Sequence, residues 1–85
     1  MNVVFSQSAD AILGPHKDFR DGLVQALDSL PGTCFIDGRV GRSPRDDCVV
    51  LLCQGRERIT VPHDEFGDAT TVKRIFKQWS SPAPE

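Results

Sequence analysis

Apolar positions along this chain follow two different rhythms. Phe19, Leu23, Leu27 and Leu30 recur at the spacing of one helical face, which Val24 and Ala26 widen. That spacing predicts a helix over about residues 15–29, opened by Gly14-Pro15 and stopped by Pro31-Gly32. A second stripe, Val72, Ile75, Phe76 and Trp79, stands at i, i+3, i+4 and i+7, with Lys73, Arg74 and Lys77 on the other side. Asp68 lies just ahead of it and supplies an N-cap acceptor.

Between the stripes the rhythm shortens. Residues 48–53, Cys-Val-Val-Leu-Leu-Cys, are apolar without a break, as in a central strand covered on both sides. Gln54-Gly55 predicts a tight turn, after which residues 56–61 alternate, Ile59 and Val61 inward, Arg58 and Thr60 outward. Pro62 lacks the amide needed to continue the ladder. Residues 33–37 read as a further strand, and residues 38–46, Gly-Arg-Val-Gly-Arg-Ser-Pro-Arg-Asp, as an exposed loop. Residues 2–5 suit a short strand and residues 6–13 show weak helical periodicity; neither run is long enough to decide.

The order α-β-β-β-α predicts an α+β domain: a three-stranded antiparallel sheet with two helices packed on one face, and room for an extra N-terminal strand. Residues 1–79 are expected to form this single domain and residues 80–85 a disordered tail. Cys48, Val50 and Leu52 share one side of the middle strand, so a sheet covered on one face only would show an apolar ridge on the other.

Composition narrows the function classes. The 85 residues carry a formal net charge of −2, which weighs against nucleic acid as an obligate partner, because phosphate neutralisation usually demands a basic excess. The first fourteen residues hold no Lys or Arg, and the apolar run Val3–Phe5 is far shorter than a signal-peptide core or a membrane span. A cytoplasmic protein with no membrane partner is expected. Cys34, Cys48 and Cys53 form an odd set with no Cys-x-x-Cys pair, and are expected to be reduced, buried hydrophobes rather than a disulfide framework or a zinc site. No cofactor or metal is implied.

The stretch Val61-Pro62-His63, a short loop, and then Asp68-Ala-Thr-Thr-Val-Lys-Arg-Ile-Phe-Lys-Gln78 resembles the carboxy-terminal half of HicA toxins. These are small messenger-RNA endonucleases with a double-stranded-RNA-binding-domain fold, in which a strand ending in Val-Pro and a His precedes a helix of comparable form. The resemblance implies that fold, with RNA binding or cleavage as the alternative function. The family's catalytic histidine lies in a Gly-Ser-His motif, and the corresponding segment here, Gly41-Arg42-Ser43-Pro44, has none.

Candidate chemistry is accordingly sparse. His63, flanked by Asp64 and Glu65, is the alternative catalytic candidate, a general acid or base for phosphodiester cleavage that needs a second group beside it. His16, next to Pro15, reads as a surface residue at a helix start. Arg39, Arg42 and Arg45 in the glycine-containing loop, and Lys73, Arg74 and Lys77 on the last helix, are the candidate binding residues, suited to anions or to an acidic protein surface. The missing motif histidine, the net charge and the apolar middle strand lead to a non-enzymatic binding protein. Its expected partner is a protein, within a nucleic-acid-handling complex that it regulates or inhibits in the style of small phage proteins. The alternative is a divergent HicA-like RNA-binding protein or endonuclease using His63.

Overall fold

Ser6 turns the start of the chain from strand to helix. The computed structural model, which describes residues 1–80, begins with β1 (Asn2–Phe5) and passes directly into α1 (Gln7–Leu13). Ser6, in extended backbone conformation, accepts a hydrogen bond through its hydroxyl from the Ala9 amide at 3.1 Å, an N-cap for a helix too short to hold itself. A single 3-10 turn, Gly14–His16, separates α1 from α2 (Lys17–Leu27). Pro15, with no amide to donate, falls at that break. The helix expected from residue 15 is therefore the second part of a nearly continuous helical segment, and it ends at Leu27, two residues earlier than expected.

The strands β2 (Thr33–Arg39), β3 (Cys48–Cys53) and β4 (Ile59–Pro62) form the antiparallel meander that the sequence predicts. β1 joins it at the edge, parallel to β2, with Val3 opposite Cys34 and Val4 opposite Phe35. The sheet is thus four-stranded and mixed, in the order β1-β2-β3-β4. A parallel neighbour needs a crossover connection, and α1 with α2 supplies it. β2 runs two residues further than expected, taking Gly38 and Arg39 out of the loop, and β4 starts only at Ile59, leaving residues 56–58 in the turn.

α3 (Ala69–Ser80) closes the domain. Ser80, expected in a tail, is its last residue; residues 81–85 lie outside the described part of the chain. The helices cover one face of the sheet only. Leu13 from α1, Phe19, Leu23 and Leu27 from α2, and Ile75 and Trp79 from α3 pack against Cys34, Ile36, Val49, Leu51, Ile59 and Val61. Each such side chain contributes about 1.5–3 kcal/mol when withdrawn from water. Within α3 the buried positions are Thr71, Ile75 and Trp79, while Val72 and Phe76 are half-buried, so the helix is rotated slightly from the orientation its apolar stripe predicts.

Hydrogen bonds at the two ends of the sheet fix the layers to each other. The Trp79 indole donates to the Glu57 carbonyl at 3.0 Å, and the Arg56 guanidinium donates to the Trp79 carbonyl, tying the end of α3 to the β3–β4 turn. At the opposite end Gly38 lies so close to α1 that a Cβ there would sit 2.6 Å from the Ala9 nitrogen and the Ser8 carbonyl carbon. Its amide donates to the Ser6 hydroxyl at 3.3 Å, and the Ser8 hydroxyl donates to its carbonyl at 3.1 Å.

Candidate functional site

Strand alternation sends half of the sheet's side chains away from the helices. Across that uncovered face the register aligns Val4, Phe35 and Leu52 in one row, Asp37, Val50 and Thr60 in the next, and Arg39, Cys48 and Pro62 in a third. Val4 is 43% and Phe35 41% exposed, whereas Val50 at the centre is sheltered by its neighbours. Of the ridge expected from Cys48, Val50 and Leu52, Val50 is buried and Cys48 and Leu52 are half-buried, so the exposed apolar surface of this face comes from Val4 of β1 and Phe35 of β2.

The arginine loop stands at the end of this face. Arg39 belongs to the third row, its guanidinium 3.8 Å from the Asp37 carboxylate. Arg42 and Arg45 are exposed beyond it, in a segment with its own internal bonds. The Gly41 amide donates to the Asp47 carboxylate at 2.9 Å and the Ser43 hydroxyl to that of Asp46 at 3.4 Å, around the 3-10 turn Pro44–Asp46. A Cβ at Gly41 would meet that of Asp46 at 2.3 Å, so the chain passes here only without a side chain.

Lys73, Arg74 and Lys77 project from the outer side of α3 instead, so the six candidate cations are spread over the end of β2, the loop that follows it and α3. Arg74 is held by the Glu65 carboxylate at 3.0 Å. Lys73 lines a groove of about 590 Å³ between the starts of α2 and α3, together with His16, Lys17, Phe19, Phe66 and Val72.

The two histidines meet beside this groove. His16 and His63 lie edge to face with ring centroids 5.4 Å apart, and Phe66 packs on both and stacks on Phe19 at 5.5 Å. Phe66, 1% exposed, holds the cluster in place. His63 keeps about a third of its side chain in solvent, with Nδ1 4.0 Å from the Asp64 carboxylate. His16 is half-buried against this neighbour, not the simple surface residue that its position predicts. Nothing local in the sequence pairs it with His63, because the contact is made by the packing of α2 against the turn before α3.

The start of α3 is built as the sequence indicates. Asp68 accepts from the Thr70 hydroxyl at 2.7 Å and the Thr70 amide at 2.9 Å. Those bonds, the hydroxyl first, hold its carboxyl below the ordinary carboxylate value of 3.8, and the charge of Arg74 acts in the same direction. Among the described residues no group of three or more His, Cys, Asp or Glu side chains is placed to hold a metal ion, and no helix is long and apolar enough to cross a membrane. Comparison with protein-family models, with curated proteins and with solved structures finds no match for this chain.

Proposed function

We propose that the protein is a small non-enzymatic binding module that docks on a protein partner through the uncovered face of its sheet. The observation that carries this reading is the exposed Phe35, set in one row with Val4 and Leu52 across three strands. Paired strands hold the Phe35 ring and the Val4 side chain at the surface beside the half-buried Leu52, where they gain nothing until another surface removes them from water. Aromatic anchors of this kind dominate binding energy when a partner encloses them.

The partner we assign presents an apolar centre with an acidic rim. Arg39 lies on the docking face, Arg42 and Arg45 stand at its end, and the Asp37 carboxylate is engaged by Arg39. Rim charges of that sign steer an acidic surface into register. The test is capture of host proteins by the tagged protein, then titration of the purified partner with Phe35→Asp and with Arg42→Glu/Arg45→Glu. Phe35→Asp should weaken binding at least about tenfold, and the arginine pair should make it salt-sensitive in the opposite sense. Unchanged affinity in Phe35→Asp sinks the reading.

A second reading rests on His16 standing beside His63. General acid-base cleavage of RNA needs one group to take the proton of the ribose 2′-hydroxyl and another to return a proton to the leaving 5′-oxygen. Two adjacent imidazoles, with Lys17 and Lys73 nearby for the phosphate, supply that set. It predicts growth arrest on expression and RNA cleavage in vitro, each lowered about a hundredfold or more by His63→Ala and by His16→Ala. Activity untouched by either change rules it out.

A further inference from the structure

Cys34 on β2 and Cys53 on β3 stand directly opposite each other in the antiparallel register. Opposed residues of an antiparallel pair have α-carbons about 4.5–5.5 Å apart, inside the range of about 4.4–6.8 Å that a disulfide spans. Both point to the helix-covered side: Cys34 is a core residue with no exposure, and Cys53 packs at the edge of the same core. Both thiols are free, that of Cys53 donating weakly to the Gln54 carbonyl at 3.8 Å.

The two sulfurs are chemically unequal. Burial pushes the Cys34 thiol up to about 11, and the nearby Cys53 sulfur pushes it the same way. A reagent from solvent therefore meets Cys53 first, while Cys34 waits behind it. Cys48 cannot take either role in this pair. It lies at the far end of β3, opposite Arg39 and on the uncovered face.

We propose that Cys34 and Cys53 are a modification site, forming a cross-strand disulfide when the protein meets a peroxide. The Cys53 thiolate attacks one peroxide oxygen and breaks the O–O bond, giving a sulfenic acid and a hydroxide that the proton lost from Cys53 converts to water. The Cys34 sulfur then attacks the Cys53 sulfur, the S–O bond breaks, and the hydroxyl leaves as water with the Cys34 proton. In sum two thiols lose two protons and two electrons, and one hydrogen peroxide becomes two waters. The bond fastens β2 to β3 at the pair next to Phe35 and Leu52. It stands independently of what docks on that row.

Treatment of the full chain with hydrogen peroxide, followed by intact mass measurement and non-reducing peptide mapping, tests the site. The expected result is loss of two hydrogen masses and a peptide joining Cys34 to Cys53. That product should survive in Cys48→Ser and vanish in Cys53→Ser and Cys34→Ser. The melting temperature should rise by several degrees on oxidation and return with dithiothreitol. Cys53 is half-buried, so Cys53→Ser keeps the test decisive even where Cys34→Ser fails to fold. Stepwise oxygen addition to Cys53 with Cys34 left reduced overturns the proposal, as does a linked peptide containing Cys48 or a disulfide-linked dimer.

Discussion

His16 and His63 are edge-to-face neighbours at 5.4 Å, and the contact joins the start of α2 to the turn that precedes α3. Phe66 makes this possible by filling the space beneath both rings and stacking on Phe19. The polar pair thus depends on an apolar side chain that takes no part in its chemistry.

Phe66→Ala should cost about 3–5 kcal/mol, the range for removing a fully buried aromatic ring. Urea unfolding followed by the fluorescence of Trp79, the single tryptophan, measures it. A loss under about 1 kcal/mol would mean that the cluster closes over the cavity and that Phe66 is not its support.

Two glycines should respond in opposite directions to the same change. Gly38→Ala drives a methyl group into the backbone of Ser8 and Ala9 and should destabilise by at least about 1–3 kcal/mol. Gly22 lies inside α2, and a Cβ there would meet only the Val72 Cγ2 at 3.8 Å, an ordinary contact, so Gly22→Ala should stabilise by about 0.5–1 kcal/mol. Thermal melts of the two variants give the signs, and a gain from Gly38→Ala would contradict the close packing of α1 on β2.

Asp68 gives the fold an acid-sensitive contact. Its carboxyl is held below 3.8 by the Thr70 hydrogen bonds, so the charged form favours the folded state. The stabilisation is fully present above that ordinary value and is lost as pH falls through the lower folded value. Asp68→Asn keeps an acceptor for the Thr70 amide but has no proton to gain. Stability measured from pH 6 downward (about the range where carboxylates titrate) should fall more steeply in the parent than in Asp68→Asn. Parallel curves would remove Asp68 from the account.

Trp79→Phe retains most of the buried ring but leaves the Glu57 carbonyl without its donor. A loss of about 1 kcal/mol from that bond is expected, together with faster amide exchange in the β3–β4 turn. Equal exchange in both proteins would show that the Arg56 and Gln78 contacts hold the turn without the indole bond.

The elements legible in the sequence are those with a long, regular pattern. The apolar run 48–53, the alternation around Ile59 and Val61, and the stripe ending at Trp79 each mark a real element, and Asp68 marks where α3 starts. β1 and α1 escape that reading because four and seven residues carry too little periodicity. Ser6 ahead of Ala9, Ile12 and Leu13, at helical spacing, was the available sign of α1. The parallel place of β1 has no local sign at all; it depends on Gly38 admitting α1 against β2. The same limit hides the two close side-chain pairs. His16 finds His63 through tertiary packing, and Cys34 finds Cys53 only once the register of β2 on β3 is fixed. The uncovered face was half visible, since Cys48, Val50 and Leu52 announced it while Phe35 and Val4 joined it through strand pairing.

The parallel edge strand also sets an order of events in folding. β2, β3 and β4 pair with sequence neighbours and close short loops, whereas β1 gains its partner only after α1 and α2 have brought the chain back across the sheet. β1 is therefore expected to dock last and detach first, and its amides should exchange with solvent well ahead of those of Val49 and Leu51. Since Val4 rides on that strand, the row it shares with Phe35 and Leu52 is complete only while β1 is docked.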